Sequence, residues 1–109
     1  MVKIVGYWSA PTPGKEEEFE KHYADTHIQL AAKLPHLKSL TAGRADRGFA
    51  GGSPTHYRVV ELVYESEADV EKSMKSDEWA AMAKDAEYVV ETFGTVNSGD
   101  YVGNAETWL

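Results

Sequence analysis

The chain has no cysteine among its 109 residues. That excludes disulfides, thiolate catalysis and cysteine-ligated zinc or iron–sulfur centres. It has no basic cluster either: 11 Lys and Arg stand against 18 Asp and Glu, for a net charge of −7. Phosphate binding needs a concentrated positive surface, so the sequence argues against nucleic acid as a partner. Long apolar runs are missing, so no stretch could span a bilayer as a helix. The opening M-V-K-I-V-G-Y-W is too short and too soon interrupted for a signal peptide and reads as a strand. With the missing cysteine, this fits a cytoplasmic protein. No nucleophile–base arrangement, phosphate loop, dinucleotide fingerprint or paired-carboxylate motif is present, and no cofactor is expected.

Hydrophobic content of 42% and charged content of 27% are those of one globular domain, 1–109. A strand is predicted over 2–9, with Val2, Ile4 and Trp8 on one face and Val5 and Tyr7 on the other. The A-P-T-P-G turn follows, and Glu16-Glu17-Glu18 suits the positive end of a helix dipole. That helix should run to Leu34, because Pro35 supplies no amide donor and disfavours helix before it. A weaker strand is predicted over 37–43. A glycine-rich loop over 44–55 reads as a long hairpin connection or as a lid.

The strongest strand is H-Y-R-V-V-E-L-V-Y, 56–64, again apolar on both faces. S-E-A-D at 66–69 has capping-box spacing, and Asp77 is a candidate cap for a second helical piece carrying Trp79, Met82, Ala83, Ala86 and Val90. A last strand is expected from Thr92 to Val96 toward Tyr101 and Val102, with 97–100 a turn or bulge inside it. The order βαββαβ predicts an α+β, ferredoxin-like fold: a four-stranded antiparallel sheet with helices on one face. Two helices cover one side only, so strands apolar on both sides call for a second copy packed sheet to sheet. The expected assembly is a homodimeric α/β barrel.

Chemistry centres on the first helix. At about 100° per residue, Phe19, Tyr23, Leu30 and Leu34 form one stripe, flanked by Thr26 and His27. His27 could pass protons to or from a bound carbonyl or hydroxyl, and Tyr23 could orient it or donate to a developing oxyanion. The same spacing fits a His27 packed at the core margin. His22 is either a further polar member of the site or a solvated histidine. His22 and His27 point about 140° apart on an ideal helix, which disfavours a metal pair. Arg58 shares strand parity with His56, Val60, Leu62 and Tyr64. It either lines a polar pocket with an aromatic wall, suited to a small flat organic ligand, or forms a salt bridge to a helix. Trp8 is core or pocket wall, and Trp108 is expected to dock, on the partner subunit or elsewhere.

The run F-x-x-H-Y-x-x-T-H-x-x-L-x-x-x-L-P-x-L, Phe19 to Leu37, resembles the hallmark of the EthD family. V-V-E-L-V-Y-E-S and S-D-E-W…K-D-A-E-Y extend the resemblance in the same order. It implies a dimeric α/β barrel. It also implies kinship with an accessory to bacterial ether degradation, with methylmuconolactone isomerases, and with cofactor-free oxygenases or cyclases of aromatic polyketides. The helix histidine of those isomerases falls on His27. Their reactive cysteine has no counterpart, so that reaction is not carried over, and the usual glycine after Leu-Pro is His36 here. The expectation is an enzyme or oxidoreductase-system accessory acting on a small hydrophobic or aromatic carbonyl compound. His27 and Tyr23 would act on it in a pocket drawn from His22, Trp8, Arg58 and Leu62. A non-catalytic binder or carrier, or a structural barrel without turnover, remains the alternative.

Overall fold

A computed structural model describes the whole chain, residues 1–109. Four strands, β1 (Val2–Trp8), β2 (Ser39–Arg44), β3 (Arg58–Tyr64) and β4 (Asn97–Val102), form one sheet in the order β2-β3-β1-β4. Every neighbouring pair is antiparallel, with Gly6 opposite Val60 on one side and Gly99 on the other. This is the ferredoxin-like arrangement that the alternation of elements predicts. Val2, Ile4 and Trp8 of β1 and Val60, Leu62 and Tyr64 of β3 meet the helices.

The first helix is not a plain α-helix. It comprises α1 (Glu16–His22), a π turn (Tyr23–His27) and α2 (Ile28–Ala31). The Ile28 N–H donates to the Tyr23 carbonyl, five residues back. A π turn takes up an extra residue and delays every later side chain relative to an ideal helix. The buried stripe is therefore Phe19, Tyr23, His27, Ala31 and Leu34, and Leu30 is only half-buried. The α-helical projection put Leu30 in the stripe and His27 beside it; the inserted turn exchanges their places.

In the second half, α3 (Glu67–Met74) is capped by the Ser66 hydroxyl, which accepts from the Asp69 N–H at 3.2 Å. The cap of α4 (Asp77–Phe93) is Ser76, one residue before the expected Asp77; its hydroxyl accepts from the Trp79 N–H at 3.1 Å. The helix then runs past the point where a strand was expected, because Val89 and Phe93 both reach the core around Trp8 and Phe19. Packing outweighs the β-branched character of Thr92. Gly94 ends α4 at φ 67°, and a Cβ there would lie 2.3 Å from the Thr12 hydroxyl oxygen. β4 is the N-S-G-D-Y-V segment itself, not the residues before it, and its pairing with β1 overrides poor strand propensity.

The core is in two parts. Val2, Leu34, Leu62, Tyr64 and Val70 make one, and Trp8, Phe19, Tyr23, Val89 and Phe93 the other. The outer face of the sheet is more mixed than the sequence suggests. Val5, Tyr7, Val59 and Val63 are half-buried there, but Lys3 pairs with Glu61 at 3.2 Å among them. His56 precedes β3 and stacks on Tyr7 at 4.2 Å, so it does not share the face of Arg58.

Candidate functional site

Between the two parts of the core lies a partly open cavity of about 250 Å³. Its floor exists because two paired sheet positions have no side chain. A Cβ on Gly6 would come 2.8 Å from Val60 Cγ1, and one on Gly99 would come 2.8 Å from the Val5 carbonyl oxygen. Ile4 and Leu62 rise from the sheet, Trp79 and Met82 close the α4 side, and Trp8 stands at the end of β1. The wall is mostly apolar, the setting in which a few placed polar groups decide what binds.

Two of those groups come from the π turn. Tyr23 is buried, and its hydroxyl is the one buried side-chain oxygen or nitrogen without a hydrogen-bond partner. A buried hydroxyl left unpaired costs about 1–3 kcal/mol, so this one calls for an explanation. Burial holds the phenol above its ordinary value; Arg58 lowers it somewhat and Glu20 raises it. It is thus an O–H donor at neutral pH.

His27 is 7% exposed. Its ring meets Trp8 edge-on at 5.2 Å and tilts toward Tyr23 at 5.8 Å. Its Nδ1 lies 2.8 Å from the Asp85 carboxylate, so Nδ1 carries the proton and donates. Nε2 makes no hydrogen bond within the chain and keeps its lone pair. Burial pushes the imidazole below its ordinary value, against the opposing pull of Asp85, so the ring is neutral at pH 7. A carboxylate fixing the tautomer of a neutral histidine is how general bases are oriented in unrelated folds.

The other sequence candidates separate into two groups. Trp8 and Leu62 line the cavity with His27 and Tyr23. His22 does not: its Nε2 reaches the same Asp85 at 2.9 Å from behind, on the side of an outer groove. The two rings, 140° apart on an ideal helix, converge because a π turn brings residues five apart onto one side. Arg58 also stays out of the cavity. It pairs with Glu20 of α1, and its guanidinium sits 4.5 Å from the centre of the Tyr23 ring. Of the two readings of Arg58, the salt bridge to a helix is the one found.

Asp85 escaped the sequence reading, although a signal was present. It lies three residues after Met82 and four before Val89, on the inward face of α4. A carboxylate on such a face must be paired. Gly6 was missed too; a lone glycine within a strand often marks a close approach or an emptied space.

Comparison with known proteins agrees with this architecture. The EthD domain family matches residues 13–92. The chain belongs to the EthD family. A curated relative, an uncharacterized 11.0 kDa protein of the thcB-thcC intergenic region in Rhodococcus erythropolis, is 30% identical over 73 residues. That match covers 67% of this chain and 70% of the relative. An ethyl tert-butyl ether D (EthD) family protein of Bacillus halodurans superposes with a TM-score of 0.80 at 25% identity, covering 96% of this chain and 99% of the other. SnoaB, a cofactor-independent oxygenase from Streptomyces nogalater, shares the fold at a TM-score of 0.64 and 15% identity, over 97% and 94% of the two chains.

Proposed function

We propose that this EthD protein binds a small hydrophobic or aromatic carbonyl compound in the cavity and moves a proton on it through His27. The observation that carries the reading is one apolar cavity lined both by Tyr23, whose buried hydroxyl has no partner, and by a histidine held in one tautomer by Asp85. A ligand carbonyl would accept from the Tyr23 O–H. The C–H next to that carbonyl then breaks, its proton bonds to His27 Nε2, and its electron pair moves onto the oxygen as an enolate. Tyr23 stabilises that charge where it develops, and Asp85 stabilises the imidazolium. Return of the proton to another carbon completes an isomerisation, and the step needs no metal or redox group. A cavity of about 250 Å³ suits a ligand of one or two rings.

The working unit in this proposal is a homodimer. Val5, Tyr7, Val59 and Val63 give the outer sheet face apolar ground around the Lys3–Glu61 pair, and a second copy of the same face is the partner that the family resemblance implies.

His27→Ala separates enzyme from carrier. Loss of turnover with ligand binding retained supports the catalytic reading, whereas unchanged turnover removes it.

A further inference from the structure

Asp85 is shared. Its Oδ2 lies 2.8 Å from His27 Nδ1 and 3.1 Å from His22 Nε2, and its Oδ1 lies 2.9 Å from His22 Nε2. One carboxylate thus holds two imidazoles that border different surfaces of the protein. His27 lines the cavity, and His22, with a side chain 20% exposed, lines a groove open to solvent. Asp85 is the one carboxylate bonded to both rings, so a proton on one imidazole disfavours a proton on the other.

We propose that His22 and His27 form a coupled pair that shares one positive charge across Asp85, so that His27 accepts a proton from a cavity ligand as His22 releases one to solvent. This rests on the reading of His27 as the proton acceptor and adds a positioning and charge-balancing role for His22, which touches no ligand. The proton count closes. As the ligand C–H breaks, its proton bonds to His27 Nε2; the Nδ1–H of a charged His22 breaks, and that proton goes to groove water. The net charge of the three side chains is unchanged, and return of the proton to the ligand runs both transfers backwards. No proton needs to pass the cavity mouth.

Asp85 is the charged group in direct contact with both rings. From α4, His22 faces Asp85 and the Tyr88 ring at 5.0 Å. Glu18 and Lys21 of α1 and Asp25 of the π turn share its groove, and Lys21 and Asp25 are already paired at 2.8 Å. His27 faces Asp85, the neutral phenol of Tyr23 and the uncharged Trp8. Arg58 and Glu20, beyond Tyr23, neutralise one another. The proximity of His22 is among the influences that keep the His27 imidazole low.

The test is a titration of both imidazoles by nitrogen-15 NMR on the full chain without ligand. In the wild type, both rings respond at the same two midpoints, the signature of coupled sites. In His22→Gln, which keeps an amide donor toward Asp85, His27 titrates in one step with its midpoint raised. Its Nδ1–H tautomer is retained. Independent single-step curves in the wild type, or an unmoved His27 midpoint in a folded His22→Gln, overturn the proposal. Should that variant not fold, the wild-type curves alone decide. Turnover plays no part in these readings. Lost coupling beside a catalytic His27 therefore sinks only the pair, and intact coupling in a protein that turns nothing over sinks only the proposed function.

Discussion

Tyr23 and His27 make opposite demands on the fold. An unpaired buried hydroxyl is a stability cost that a ligand can relieve, so Tyr23→Phe should raise stability by about 1 kcal/mol while weakening binding of a carbonyl ligand. Urea unfolding and a ligand titration on the same variant check both halves; a destabilised variant with unchanged binding contradicts the role. His27 links the site to pH. Burial depresses its imidazole, so between the folded value and about 6.5 the unfolded chain holds the proton and the native chain does not. Its contribution to stability is complete above that window and is lost as pH falls through the folded value. His27→Gln should flatten this part of the acid limb in denaturant midpoints measured from neutral pH downward. Parallel curves for the two proteins would show that His27 does not supply it. Sequence supplied Tyr23, His27, Trp8 and Leu62 through type and spacing. It did not supply Asp85: spacing puts that carboxylate on the inward face of α4, but nothing local says that it meets a histidine 58 positions away.

The elements show where pattern reading succeeds and where it stops. β1, β3 and the Ser66 cap followed from alternation and capping chemistry. The π turn did not, since it conforms to no repeat, yet it brings His22, Tyr23 and His27 to their places. β4 was misplaced by several residues because its own N-S-G-D composition argues for a turn, and only the neighbouring β1 makes it a strand. The loop after the first helix carries a second exception. His36 occupies φ 64°, the left-handed region, where the family resemblance expects glycine. A side chain there costs about 1–2 kcal/mol, and the His36–Asp69 contact of 3.8 Å is too long to offset much of it. His36→Gly should therefore raise the melting temperature, after the greater freedom of glycine in the unfolded chain is set against that gain. A fall of more than a few degrees would mean that the histidine has a role in this turn.

At the scale of the molecule, the ferredoxin-like layout was legible from the order of strands and helices, and the two-sided strands pointed to a twin. The ion pair of Lys3 with Glu61 makes the outer face less oily than a strand-by-strand count suggests. Val59, paired with Tyr7 on that face, is the position to probe. The wild type should sediment at twice the mass of one chain, and Val59→Lys should shift it toward a single chain while the cavity side of the sheet stays folded. A wild type that remains single at high concentration removes the dimer. The central claim is narrower: the cavity holds an oxygen-bearing ring against Tyr23 and His27. Nitrogen-15 NMR of His27 during titration with a small probe such as 2-tetralone tests it most directly. A saturable shift at Nε2 in the wild type that weakens in Tyr23→Phe is the predicted result; a His27 signal indifferent to that compound, and to its aromatic counterpart 2-naphthol, would contradict it.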